Sequence, residues 1–150
     1  MNSPLQLEQY FFERMHCVAE PTIALDDVRT WHEADNSRFE LRVELATNPE
    51  SNNHWQVTLD FSTSKNYPEP SPYELRFTAV GFFVIDEDFK HDDLERLIRV
   101  NGSSVLYSAM REFVALFTSR APWGAVSLPT VNFRLLSATN GGEGETDQET

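Results

Sequence analysis

Residues 101–133 read NGSSVLYSAMREFVALFTSRAPWGAVSLPTVNF, and the rest of the chain is arranged around them. The first half has helical spacing. Leu106, Ala109, Met110, Phe113, Leu116 and Phe117 recur every three or four residues and stripe one face with apolar groups. Ser103 or Ser104 suits the N-cap, where a hydroxyl accepts from the free N–H groups of the first turn. Pro122 ends the helix by disfavouring helical geometry at the residue before it. An apolar connector from Trp123 to Leu128 follows, and Pro129 then leads into Val131, Asn132 and Phe133. No catalytic motif lies in this stretch.

Upstream, the pattern changes to a period of two. Leu5 to Val18 reads as a strand with Leu5, Leu7, Phe11, Met15 and Cys17 on one face and Tyr10 and Phe12 on the more polar one. Ala19 to Ser37 is a long connection whose Ile23, Leu25, Val28 and Trp31 require part of it to pack. Phe39 to Leu45 and Trp55 to Ser62 alternate cleanly across a polar turn and read as a hairpin. Three prolines break the pattern between Lys65 and Pro72. Tyr73, Leu75 and Phe77 then alternate with polar residues, and from Ala79 to Ile85 both faces turn apolar. Asp92 or Asp93 fits the cap of a short helix carrying Leu94, Leu97 and Ile98, which Asn101-Gly102 should interrupt. Four strands followed by helices imply an α+β domain. The long helix is the natural cover for the apolar sheet face, or for the same helix of a second subunit.

Composition narrows the function. The chain has 150 residues, one domain's worth, with eleven phenylalanines, four tyrosines and three tryptophans to build a core. Twenty-four acidic residues against twelve basic ones give a net charge of −12, which opposes nucleic acid and anionic membrane surfaces and suits a basic partner. A single cysteine, Cys17, forms no internal disulfide. The opening MNSPLQLEQYFFERM lacks a basic region followed by an apolar core, and no apolar run approaches the roughly twenty residues of a membrane span, so the expected address is cytoplasmic. Residues 138–150 hold glycine, polar residues and four acids with no base, the composition of a disordered acidic tail after a domain at 1–137.

Chemistry has little to work with, and the expectation is no enzyme, no metal and no cofactor. His16 and Cys17 are neighbours on a strand and face opposite ways. His32-Glu33 and His91-Asp92-Asp93 lack a ligand pair at helical spacing, and Asp86-Glu87-Asp88 lacks the ligand pattern of a calcium loop. Gly141-Gly142-x-Gly144 has no following lysine to make a phosphate cradle. Arg111-Glu112 within the helix suits an exposed or interfacial contact.

The opening stretch resembles the SecB family of bacterial protein-export chaperones. In that family a Leu-aromatic pair precedes Ala-Arg-Glu, then Ser-Arg, then Leu-x-Pro-Val-Asn-Phe. The matching residues are Leu106-Tyr107, Arg111-Glu112, Ser119-Arg120, Leu128 and Val131-Asn132-Phe133, with no gap. Met110 stands at the family alanine, Ser108 at a proline and Ala121 at a glycine, and Pro129 lies one residue early. The resemblance implies a four-stranded antiparallel sheet with a long crossover after the first strand, then a long helix and a short C-terminal helix. It also implies a homotetramer that holds unfolded preproteins and passes them to the SecA motor. Glu13 falls near one docking acid of the family, while the acid expected on the fourth strand falls on Phe77.

Excess apolar surface points the same way, because contiguous exposed patches mark interaction sites. The reading is an ATP-independent holdase that keeps preproteins export-competent. A chaperone dedicated to one client, such as an antitoxin, is the alternative, and a non-chaperone interaction module is a third. Client contact is expected at Phe12, Ile23, Val28, Trp31, Val80, Phe82, Trp123, Leu128, Val131, Phe133 and Leu136. Subunit contact is expected at Leu106, Met110, Phe113 and Phe117, and translocase docking at Glu13.

Overall fold

The computed structural model describes residues 3–90 and 92–135. In chain order these form β1 (Leu5–Ala19), α1 (Leu25–Glu33), a 3-10 turn (Asn36–Arg38), β2 (Phe39–Asn48), β3 (Ser51–Thr63), β4 (Tyr73–Ile85) and α2 (Leu94–Thr118). Residues 133–135 are helical again. The strands make one antiparallel sheet in the order β1-β4-β3-β2. Because β1 and β2 lie at opposite edges, the connection between them must cross the sheet. That topology sets its length, and α1 is the part of it that packs. The α+β architecture expected from the sequence is the one found.

One face of the sheet is the core. Tyr73, Leu75, Phe77, Ala79, Phe83 and Ile85 of β4 point to it with Val57, Leu59 and Phe61 of β3, all nearly or wholly buried. Residues directly opposite across an antiparallel pair share a face, so the register of β1 against β4 gives the direction of each β1 side chain. The register slips by one residue between Leu7 and Gln9 and again between Phe12 and Arg14. Each slip is a β-bulge that adds one residue, Glu8 and then Glu13. Between the bulges the phase is reversed. Tyr10 and Phe12 pair with Gly81 and Ala79 and face inward, while Phe11 pairs with Val80 and faces out. Strict alternation placed Tyr10 and Phe12 on the polar side, and the bulges correct that.

The helical reading also changes. α2 runs unbroken through Asn101-Gly102, and its N-cap is Asp93, whose carboxylate accepts from the Arg96 N–H at 3.1 Å. Ser103 and Ser104 lie inside it. Gly102 is there for closeness. A Cβ at Gly102 would sit 2.9 Å from Val57 Cγ2, and one at Gly81 would sit 2.9 Å from Leu106 Cδ2. The two glycines let the helix approach the sheet backbone. The buried line is Ile98, Gly102, Leu106, Met110, Val114 and Thr118, at four-residue spacing, so Leu116 turns to solvent. After Pro122 the chain doubles back along α2. The Thr118 hydroxyl donates to Val114 O at 2.7 Å and accepts from Val126 N–H at 2.8 Å, fixing the start of the return. Tyr107 donates its phenolic proton to Pro129 O and meets Phe133 edge to face, fixing its end.

The two sheet edges differ. Along β2, Arg99 of α2 reaches over and donates from Nη1 to Val43 O at 3.1 Å, covering an edge carbonyl. β1 pairs with β4 on one side and with no described strand on the other.

Candidate functional site

Three surfaces carry the chemistry. The first lies between β1 and α2. Phe12 stacks on Phe113 with ring centroids 4.4 Å apart, and Phe113 in turn meets Phe77 and Phe117 edge to face. Around this cluster Tyr10, Met15, Leu116 and Phe117 are exposed. The bulges are what bring Tyr10 and Phe12 to this side, so alternation alone could not have assembled it. Of the residues expected at a subunit contact, Leu106 and Met110 are wholly buried within the chain, whereas Phe113 and Phe117 stay reachable.

The second surface is the crossover against the return segment. Trp31 of α1 is fully buried and meets His32, Phe39 and Tyr73 edge to face, with the Arg38 guanidinium carbon 4.9 Å from its ring centre. Burial lowers the pKa of Arg38, which nonetheless donates from Nη1 to Trp31 O at 2.6 Å. Trp123 clasps this assembly. Its carbonyl bonds His32 Nε2 at 2.7 Å, its N–H donates to the Tyr73 hydroxyl at 2.9 Å, and its indole donates to Glu20 O at 2.8 Å. The sequence flagged Trp31 and Trp123 for their apolar bulk. Arg38 and Tyr73, which make them a unit, gave no signal beyond an arginine and a tyrosine in strand-like surroundings.

Burial sorts the other expected client contacts. Val28, Trp31, Val80, Leu128 and Phe133 are buried and act as packing groups in this conformation. Val28 and Trp31 belong to α1, packed on the sheet, Leu128 and Phe133 to the return segment, packed on α2, and Val80 lies on the outer face of β4 opposite Phe11. Phe12, Ile23, Phe82, Trp123 and Val131 are half-buried and reachable. Leu136 lies outside the described residues, as do His91 and the acidic tail.

The outer sheet face is the third surface, and it is divided. Toward one end it is apolar, with Phe11, exposed, tilted against Phe82 at 6.0 Å. Toward the other it is a charge mosaic. Arg14, Thr78, Asp60 and Arg42 form one row across all four strands. Asp60 accepts from Thr78 Oγ1 at 2.9 Å and pairs with Arg76 at 3.3 Å. His16 and Glu74 meet at 3.0 Å beside it. Glu13 sits exposed at its bulge, and Phe77 is wholly buried on the opposite face, so its outward neighbours are Arg76 and Thr78.

None of these surfaces arranges a nucleophile with a base. Cys17 is half-buried, and burial raises its pKa. His54 bonds Ser51 and lies 3.7 Å from Glu8, a contact between strands on the surface. Among the described residues no group of three or more His, Cys, Asp or Glu is placed to hold a metal ion, and no helix is long and apolar enough to cross a membrane. What the arrangement can do is bind apolar and aromatic groups.

A family model described as "SecB: Preprotein translocase subunit SecB" matches residues 25–141. Among solved structures, a SecB-like chaperone of Mycobacterium tuberculosis in complex with a peptide from an antitoxin matches with a TM-score of 0.61 at 15% identity, over 85% of this chain and 90% of that one. A Streptococcus agalactiae protein of unknown function matches at a TM-score of 0.46 and 18% identity, over 84% of this chain and 97% of that one. No curated protein matches the sequence.

Proposed function

The chain belongs to the SecB family, whose members are non-enzymatic chaperones, and we propose that it is an ATP-independent holdase that binds unfolded polypeptide as a cytoplasmic homotetramer. The observation that carries this is the uncovered aromatic cluster between β1 and α2. Tyr10, Met15, Leu116 and Phe117 are exposed around the Phe12–Phe113 stack in a chain of net charge −12. Apolar surface of this kind supports association, and the acidic body keeps a loaded complex soluble. Subunits meet through Phe113, Phe117 and Phe12. Clients touch Ile23, Trp123, Val131 and Phe82. Stoichiometric protein should suppress aggregation of several unrelated denatured proteins. Protection of none would overturn the holdase reading in favour of a binding module for a folded partner.

A narrower client range is the second reading, and the outer sheet face favours it. Arg14, Arg42 and Arg76 stand there, and Phe77 offers no acid, which weakens an acid-based handover to SecA. The solved relative bound to an antitoxin peptide fits the same reading. Co-purification with SecA would support export of many clients. Co-purification with one small protein would support the dedicated role.

A further inference from the structure

Helix α1 is weakly built. It has nine residues, its N-cap is Ala24 with no side-chain cap bond, and Val28 and Trp31 are its buried residues. Leu25 points to solvent, 75% exposed. Short helices are marginal without packing, so α1 depends on what Trp31 does. The Trp31 ring is well held, with aromatic edges and faces on three sides and a guanidinium over it. Its indole N–H, however, is buried with no hydrogen-bond acceptor among the described residues. An unmet donor weakens the hold of the seat on this particular ring. Part of the seat does not belong to α1: Phe39, Tyr73 and Arg38 stand on β2, β4 and the 3-10 turn, whereas His32 moves with α1 and Arg38 also donates to the Trp31 carbonyl.

We propose that Trp31 is a resident plug: it fills an aromatic seat that a client's aromatic side chain takes when α1 swings away. The exchange replaces one ring by another, so the apolar burial lost by Trp31 is regained by the client. The seat selects aromatic side chains because its walls offer ring faces and a cation, which a plain aliphatic group does not exploit. The His32–Trp123 bond is one latch on α1, and the Arg38 bond to the Trp31 carbonyl is another. The inference rests on the holdase reading and deepens it.

The test uses the full chain labelled with 5-fluorotryptophan, with the Trp31 resonance assigned by its absence in Trp31→Phe. Reduced, carboxymethylated α-lactalbumin, which stays unfolded, is the probe, and complex formation is followed separately by anisotropy. On saturation the Trp31 resonance should move to the solvent-exposed position, the α1 amides should lose exchange protection and α2 should keep its own. His32→Ala should tighten probe binding roughly fivefold, since releasing one hydrogen bond raises the open population by about that factor. A complex in which Trp31 stays buried and α1 stays protected overturns the plug and leaves the holdase reading standing. No complex by anisotropy overturns both.

Discussion

Phe12 on the edge strand and Phe113 on α2 are stacked at 4.4 Å, and the stack ties the outermost strand to the helix. Phe113→Ala should destabilise the chain by about 2–3 kcal/mol, low for a large aromatic because the ring is only half-buried. Leu116→Ala, one turn on but exposed, should stay within about 0.5 kcal/mol. Urea denaturation of both variants checks the contrast, and equal losses would place Leu116 in the core.

Phe117→Asp tests assembly. The ring is 37% exposed, so a carboxylate there remains hydrated in the monomer but not in a subunit contact. Light scattering should show the wild type as an oligomer and the variant as a smaller species with an unchanged circular dichroism spectrum. An unchanged mass would remove Phe117 from the interface.

Gly102→Ala should destabilise despite alanine's better helix propensity of about 1 kcal/mol. The added carbon would lie 2.9 Å from Val57 Cγ2, and overpacking of this kind costs about 1–3 kcal/mol. Adding Val57→Ala should recover part of the loss. A double-mutant cycle with no coupling would refute the close approach as the reason for glycine.

Much of this was legible in the sequence. The four strands, the α+β class and the end of the long helix before Pro122 follow from periodicity and proline. The bulges were not legible, because Glu8 and Glu13 look like ordinary polar residues within an alternating run. Only pairing against β4 shows the phase reversal that turns Tyr10 and Phe12 inward. Gly102 was misleading for a related reason. Glycine reads locally as a helix end, and its contact with Val57 comes from forty-five residues away in the chain. The residues expected at client contacts were legible as apolar but not as exposed or buried, since burial is decided by partners such as Tyr73 and Arg38.

Alkaline pH should loosen the return segment first. Burial pushes the Tyr107 hydroxyl from its ordinary value of 10.0 up to about 12, and burial raises Tyr73 as well. Their folded pKa values lie above the unfolded ones, so this stability is fully present below pH 10 and is lost as pH rises toward about 12. For Tyr107 the loss approaches about 2–3 kcal/mol at most, because each pKa unit is worth about 1.4 kcal/mol. Denaturation midpoints should fall across that window and fall less in Tyr107→Phe. A flat profile would contradict the burial of the phenol.

The unequal edges have a consequence for how far copies of this chain can add to one another. A strand edge is a template, and a sheet with two free edges can propagate without limit. Here Arg99 occupies a carbonyl of β2, leaving β1 as the accessible border. Two such borders can join each other antiparallel, and the joined pair then presents only its two β2 sides. Growth by edge pairing beyond two sheets would have to use that β2 border, where the Arg99 guanidinium covers the Val43 carbonyl.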